Sequence, residues 1–390
     1  MKQLRYSCSR SAVLLMLVLT PLSLAIAQNS SDNANQSWKA TTQQQVDGNA
    51  SAARESETHN TTARRTTDTR SVEHMGMDGK YEPYLDVQKE TVKVDATTER
   101  TVERTFSRDA DGRKTLVQVT QEEKRTLPGG EVKIERTTSD PDTNGGLQVV
   151  RRELENTRQL DPNVQETKTS VFTPDSNGGF AMSMQSQERQ TKSADKSVAF
   201  HKTTSLPNSN GGWQVSEVRE GTIKDDGSSR TKEESVLRPG TDGNLSVAER
   251  TVSKESANTA GDKRETVETY STDVPGSVGD GNLHLNQRMT TVHRKGDDAG
   301  HSSEEVVERR NPGQPTEGLE VTRKTIDIVR PGLGGTTRET RTVQSLDGNG
   351  SLGIVSVDTR QQDGTPVIQV GIAPAKPDQK GPAQDKPSPK

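Results

Sequence analysis

Three nearly identical segments decide the fold: DTNGGLQV (residues 142–149), DSNGGFAM (residues 175–182) and NSNGGWQV (residues 208–215). Each begins with Asp or Asn and carries a Gly pair, which supplies the positive φ angles that tight hairpin turns need. Each continues with apolar residues at alternate positions, a pattern that favours a β-strand with one more apolar face. Weaker versions of the turn, at residues 242–244 and 347–350, extend the pattern toward the C terminus.

The apolar residue after each turn recurs at intervals of 31 to 38 residues, so the chain consists of repeats of about 33 residues. In the clearest repeats this residue is Leu147, Phe180, Trp213, Leu245, Leu283, Leu319 or Leu352. A second turn lies near the middle of most repeats, as at Asp161-Pro162-Asn163. Each repeat therefore holds two runs of roughly 10–12 residues, rich in Thr, Val, Glu and Arg, which favour strands.

The sequence predicts an all-β fold: a long antiparallel β-meander of hairpin repeats over residues 81–373, largely single-layer and twisted, with about 17 strands. In architecture alone, such a sheet resembles the free-standing sheet of spirochaete outer-surface lipoproteins. Two alternatives stay open. A β-solenoid with one coil per repeat needs inward-facing apolar columns, which most runs lack. A mostly disordered chain is favoured by the 17% content of Leu, Ile, Val and Phe.

Composition argues against an enzyme. Only 26% of the 390 residues are hydrophobic and 3% are aromatic, too few to fill the cores of a large catalytic domain. The Gly348–Gly353 segment matches G-x-G-x-x-G, but a strand pattern follows it instead of the helix that a dinucleotide site needs. The six His residues show no metal-binding spacing. The sequence therefore predicts a non-enzymatic protein without a cofactor, a catalytic residue or a bound metal.

Residues 1–27 have the features of a secretory signal: basic residues, an apolar run and Ala25-Ile26-Ala27 before the expected cleavage. The single cysteine, Cys8, leaves with it, so the mature chain cannot form disulfides. Residues 28–80 are predicted to be a disordered polar spacer, and the Pro- and Lys-rich residues 374–390 a disordered tail. No second apolar run follows, so we expect no membrane span after cleavage and a periplasmic or extracellular location.

Alternation places each post-turn apolar residue and the residue two positions later on one sheet face, so the seven residues named above form an apolar stripe. The stripe is interpreted either as an internal stiffener or as a contact surface for another copy or an envelope partner. Nucleic acid is not an expected partner, because the net charge falls from −4 to −7 when the three basic residues of the signal are removed.

Acidic turns at residues 109–112, 140–144 and 279–282 offer oxygen ligands for weak calcium binding, although β-turns prefer the same residues for backbone reasons. The sequence as a whole predicts an exported repeat protein that acts as an extended envelope or extracellular scaffold, spacer or adhesive surface. The alternatives are a disordered secreted polyampholyte spacer and a calcium-stiffened repeat binding module.

Overall fold

The computed structural model describes residues 35–46, 49–76, 78–109, 111–272, 281–296, 300–311, 318–347 and 350–363. The predicted signal peptide and the predicted C-terminal tail lie outside the described residues. Within them, the chain forms strands of 9 to 15 residues and one short 3-10 helix, Leu333–Gly335.

The strands follow one another in chain order. They are β1 (Asn35–Val46), β2 (Asn49–Thr61), β3 (Arg65–Met75), β4 (Tyr81–Lys93), β5 (Thr98–Arg108), β6 (Lys114–Thr126), β7 (Val132–Pro141), β8 (Leu147–Asp161), β9 (Val164–Pro174), β10 (Phe180–Lys192), β11 (Val198–Pro207), β12 (Trp213–Asp225), β13 (Ser229–Pro239), β14 (Leu245–Ala257), β15 (Lys263–Ser271), β16 (His284–Lys295), β17 (His301–Arg310), β18 (Leu319–Pro331), β19 (Thr337–Leu346) and β20 (Leu352–Asp363).

Every strand pairs antiparallel with its neighbours in sequence, so the predicted meander of hairpins is confirmed. The sheet does not stay open, because β1 pairs with β20 from Lys39–Asp363 to Val46–Ser356. A sheet whose first and last strands pair has no free edge and is a closed barrel. The predicted open ribbon is therefore wrong, and so are the solenoid and the mostly disordered chain. Twist that accumulates from strand to strand brings the two edges together.

The predicted disordered spacer, residues 28–80, contains β1, β2 and β3, so it is structured over most of its length. β1 completes the ring: β2 and β20 run in the same direction, and only a strand of opposite direction can pair antiparallel with both. Both faces of the sheet are largely polar, so β1 needs no apolar alternation. That is why its Gln- and Thr-rich sequence gives no strand signal.

The Gly-rich turns have the predicted geometry. Gly145, Gly178 and Gly211 have φ angles of 79°, 79° and 77°. In the first turn, Asp142 N–H donates to Gly146 O at 2.8 Å, and Gly145 N–H donates to Asp142 O at 3.1 Å. Each turn therefore closes its hairpin through backbone bonds that require a left-handed Gly.

A β-bulge near the start of the second strand of most hairpins was not predicted. On β10 the register shifts between Met182 and Met184, and corresponding shifts occur along the chain from β4 to β20. The extra residue is often hydroxylated: Ser183 Oγ and Ser216 Oγ each donate to a carbonyl of the neighbouring strand at 3.2 Å. Bulges raise the local twist, which assists closure. At three of the seven stripe residues, a Ser or Thr three positions later was an available signal.

The pairing register sets the width of the barrel. Followed strand by strand once around, away from the bulges, it returns to β1 displaced by about 22 residues. With twenty strands, that displacement corresponds to a strand tilt of about 40° and a radius of about 18 Å. Side chains cannot fill an interior of that width.

The barrel has no dry layered core. Its most buried apolar residues are single positions within the sheet, such as Val119, Val218, Val236 and Val307, which are 3% to 6% exposed. Each is short and lies among longer Glu, Arg and Lys side chains that cover it. The backbone ladder and cross-strand pairs therefore hold the wall together.

Candidate functional site: the two walls of the barrel

The register also tells which sheet face lines the lumen. Since Asp142 donates its N–H to Gly146 O, the even-numbered residues of β7 point their backbone polar groups toward β8. For L-residues, β8 then lies to the right when β7 points up and the even-numbered side chains face the viewer. When the strand pairing is followed to the right once around the barrel, it returns to β1 about 22 residues nearer the C-terminal end of that strand. Because strands coil right-handedly around a barrel, a viewer outside would see the opposite displacement, and only a viewer inside sees this one. The even-numbered side chains of β7 therefore face the interior. We call the face of Arg136 the lumenal wall and the face of Leu147 the outer wall.

The lumenal wall is polar and ion-paired. Arg136 on β7 bridges two strands, contacting Glu122 Oε2 of β6 at 2.5 Å and Glu153 Oε1 of β8 at 3.0 Å. Arg151 adds a second contact to Glu153 at 2.9 Å. The four side chains form a network across three strands, and such networks of cross-strand pairs stabilise a sheet without an apolar core.

A second lumenal network links β12 and β13. Arg219 contacts Glu217 at 2.6 Å and Glu234 at 3.2 Å, while Lys232 contacts Glu234 at 2.6 Å. Arg238 contacts Glu217 at 3.3 Å and extends the network by one cation. Around these two networks the lumenal wall therefore presents alternating charges to the interior.

An ion pair crosses the closing strand. Arg360 Nη2 on β20 lies 3.3 Å from Glu55 Oε2 on β2, and β1 lies between the two strands. Ala40, the β1 residue next to Glu55, is 2% exposed and has no side chain long enough to intervene. Arg70 on β3 also contacts Glu55. The smallness of Ala40 thus lets side chains from the two ends of the repeat region meet at the seam.

The predicted apolar stripe lies on the outer wall near one rim. Its members stand at the start of β8, β10, β12, β14, β18 and β20, and Leu283 immediately precedes β16. With the outward residue two positions later on each strand, they form what we call the collar. The collar consists of Leu147, Val149, Phe180, Met182, Trp213, Val215, Leu245, Val247, Leu283, Leu285, Leu319, Val321, Leu352 and Ile354. Whether it binds a partner stays a prediction.

The collar is exposed, and proline partners extend it. Leu147 is 52% and Trp213 41% exposed. Leu147 pairs with Pro141 and Trp213 pairs with Pro207, and Phe180 and Leu245 also pair with prolines. These prolines end their strands, where a backbone N–H would have no ladder partner. Sequence reasoning missed them, although each stands one residue before the Asp, Asn or Gly that opens a turn.

Beyond the collar the outer wall is charged, with cationic side chains more frequent than carboxylates. Near the collar, Asp86 is 6% exposed and holds Arg108 at 2.7 Å and Lys114 at 3.3 Å. Farther along the wall, Glu166 holds Arg158 at 2.6 Å. The outer wall thus changes from apolar at one rim to basic toward the other.

The acidic turns do not have free carboxylates arranged for calcium. Asp142 Oδ1 accepts backbone N–H bonds from Asn144 and Gly146, each at 2.8 Å. Asp175 accepts the equivalent bonds in the next repeat. The turn at residues 279–282 lies partly outside the described residues. Within the part of the chain that the structure describes, no group of three His, Cys, Asp or Glu side chains could hold a metal ion. The described parts of these turns therefore give no support to the calcium-stiffened binding module.

Helices do not provide a membrane span: no helix in the described ranges is long and apolar enough to cross a bilayer. The expectation of no membrane span was wrong as argued, because it considered apolar helical runs alone. A closed antiparallel barrel is the architecture in which strands cross a bilayer. A strand of 13 residues such as β12, tilted by about 40°, rises about 33 Å, more than the roughly 25 Å apolar band of membrane barrels.

No protein-family model and no curated protein matches the chain. Among solved structures, the siderophore receptor PirA from Acinetobacter baumannii is similar at a TM-score of 0.47 and 7% identity, over 86% of this chain and 74% of that one. PirA from Pseudomonas aeruginosa is similar at a TM-score of 0.43 and 9% identity, over 86% of this chain and 81% of that one. OccK3 from Pseudomonas aeruginosa is similar at a TM-score of 0.42 and 10% identity, over 84% of this chain and 94% of that one. Such weak likenesses carry no functional argument, and the barrel assignment rests on the strand pairing.

Because the sheet closes into a barrel, the predicted function is wrong. An extended scaffold, spacer or adhesive surface presupposes an open sheet with both faces and both edges available, and a disordered polyampholyte presupposes no sheet. The pairing of β1 with β20 removes the edges and encloses an interior. The predicted descriptions as a structural and a disordered protein are wrong for the same reason.

Proposed function

We propose that the chain forms a water-filled β-barrel passage for polar solutes in the outer membrane of a cell envelope. The observation that carries this proposal is the closed ring of twenty strands, with a radius of about 18 Å. Barrels with fewer strands than this already leave aqueous channels. The function is transport, and no step of it requires a catalytic residue or a cofactor.

The chemistry of the lumenal wall supports passage of polar solutes. The networks around Arg136 and Arg219 present charges that cancel locally, so the wall attracts water without holding one sign of ion tightly. Because the interior is much wider than a Debye length of about 8 Å, its centre is screened from the wall charges. The passage is therefore expected to discriminate by size more than by charge.

The collar supports contact with lipid at one rim. Trp and Phe side chains on the outside of a barrel lie at the membrane–water interface, where an apolar ring meets headgroups. Trp213 and Phe180 occupy this position on neighbouring hairpins. The prolines that pair with them widen the apolar surface without adding a backbone donor that lipid could not satisfy.

A second candidate function follows from the charges at mid-height on the outer wall. Arg250 lies 3.0 Å from Glu233, and Arg288 lies 3.0 Å from Glu268, both on that wall. Arg and Lys side chains facing lipid near the midplane cost roughly 2–4 kcal/mol each. These pairs favour a barrel with water on both walls, which would serve as a conduit within the aqueous space of the envelope.

Single-channel recording tests the first candidate. The full mature chain, added to a planar phosphatidylcholine bilayer, should give large, ohmic conductance steps, because a wide aqueous lumen offers little resistance to ions. A seam variant, Arg360→Glu, places two carboxylates together across β1 and should reduce the number of stable steps by weakening closure.

Cell fractionation separates the two candidates. A membrane-embedded barrel stays with membranes after alkaline carbonate washing, and an aqueous conduit is released. Absence of conductance together with release from membranes would reject the first candidate and leave the second.

A further inference from the structure

The end of the outer wall opposite the collar carries a partial ring of exposed cations, on β10 to β19. Arg189 on β10 and Lys254 on β14 are each the third outward residue after the bulge of their strand. Arg264 and Arg338 are each the second residue of β15 and β19. Because the hairpins repeat with nearly the same register, equivalent positions lie at similar heights around the barrel. We call these four residues the basic ring.

The basic ring is exposed and takes no part in the ion-pair networks of the two walls. None of its four side chains forms a hydrogen bond or an ion pair with any residue that the structure describes, and all four are exposed. The lumenal Arg136 and Arg219, by contrast, each contact two carboxylates. Free, solvated guanidinium and ammonium groups keep their full capacity to bind an anion.

Geometry limits what can occupy the ring. Its members lie on β10, β14, β15 and β19, which span about half of the circumference, so a single compact ligand cannot touch all four together. A layer of anions perpendicular to the barrel axis touches all of them at one level. On β14 and β15, Lys254 and Arg264 also line an outer-wall groove with Val252, Ser256, Thr266 and Glu268. The hydroxyl groups of Ser256 and Thr266 can donate hydrogen bonds to phosphate oxygens, and Arg288 holds the Glu268 carboxylate at 3.0 Å.

We propose that the basic ring binds the anionic phosphate headgroups of a lipid leaflet, and so fixes which rim of the barrel faces that leaflet. The inference rests on the proposed function, since it requires the barrel to stand in a lipid layer. The collar then marks the opposite interface. Charge complementarity carries the choice of partner: each Lys or Arg near an anionic membrane surface adds attraction that salt screens.

The test compares binding to vesicles of phosphatidylcholine alone with binding to equimolar phosphatidylcholine and phosphatidylglycerol. The variant Arg189→Gln, Lys254→Gln, Arg264→Gln, Arg338→Gln should lose about tenfold or more of its preference for the anionic vesicles at low salt. Replacing the three arginines by lysine keeps the charge and should restore the preference. Circular dichroism of each variant checks that the β-sheet is intact.

The matched control removes four cations at the same end of the barrel from the other wall. The residues Lys93, Lys124, Lys192 and Arg230 are exposed, lumenal and free of side-chain partners among the described residues. Their replacement by Gln should leave the preference unchanged. An equal loss in both variants would overturn the inference, since it would show a general charge effect. Conductance in phosphatidylcholine bilayers, recorded for the same variants, reports separately on the proposed function.

Discussion

Gly221 lies in the middle of β12, where a side chain has no room. A Cβ built at this position would lie 1.9 Å from the backbone oxygen of Glu233 on β13 and 2.8 Å from Phe200 Cζ on β11. The carbonyl belongs to the sheet ladder, so the contact can be relieved only by displacing backbone. The ring of Phe200 covers the glycine, an arrangement that stabilises glycines in strands. Gly221→Ala should therefore destabilise the barrel.

The expected loss is about 3 kcal/mol in the free energy of unfolding, the upper part of the usual range for overpacking, because two neighbours must move. Chemical denaturation followed by circular dichroism measures it. Gly353→Ala on β20 is the matched control, since a Cβ there meets nothing within 4 Å. That control should be neutral or stabilising by up to about 1 kcal/mol. Equal stability of the two variants would refute the close approach of β12 to its neighbours.

Three further perturbations probe the walls and turns. Arg136→Met should lower stability by about 1 kcal/mol in denaturation experiments, a modest loss because its carboxylate partners are partly exposed and screened by solvent. The backbone N–H of Ser229 and the hydrogen bonds from Ser228 lower the pKa of Asp226. The stability that Asp226 gives to its turn is therefore complete above the ordinary Asp pKa and is lost as pH falls through the lowered value. Hydrogen exchange of the Ser229 amide should quicken only in acid, and Asp226→Asn should abolish that pH dependence. In a Trp38→Phe background Trp213 is the single Trp, and its fluorescence should be quenched by brominated acyl chains in phosphatidylcholine vesicles. In the same background with Trp213→Phe, a Trp placed at Thr222 on the same strand and wall should not be quenched; equal quenching of both would contradict the confinement of apolar contact to the collar.

The hairpins could be predicted from the sequence because their signals are local. The Gly145 and Gly178 turns each join two strands within a few residues, and turn chemistry specifies that pairing regardless of the rest of the chain. The alternation that follows each turn likewise placed the seven stripe residues on one face, as the structure has them.

Closure could not be predicted because nothing local encodes it. Thr42 pairs with Arg360, residues from opposite ends of the repeat region, and β1 carries neither a repeat nor an apolar alternation. Whether a sheet of this length remains an open ribbon or meets itself depends on twist summed over twenty strands. The unpredicted bulges add to that sum.

The basic ring could not be predicted from the sequence for a related reason. Arg189 and Arg338 belong to different repeats and show no common motif in the sequence. Their shared wall and height emerge only from the register, which a one-residue slip would invert. Charge counts alone gave a net value for the chain and could not separate the two walls.

Closure of the ring is the central claim, and cross-linking at the seam tests it most directly. In a Cys8→Ser background, Gln43→Cys with Thr359→Cys and Gln44→Cys with Asp358→Cys join adjacent β1–β20 pairs. Neighbouring antiparallel pairs alternate between Cα separations of about 4.5 and 5.5 Å, so both suit a disulfide. Thr340→Cys with Thr359→Cys joins β19 to β20 and is the positive control. The barrel predicts rapid oxidation of the seam pairs, seen as a mobility shift on non-reducing gels; seam pairs that stay reduced while the control oxidises would show an open sheet and contradict it.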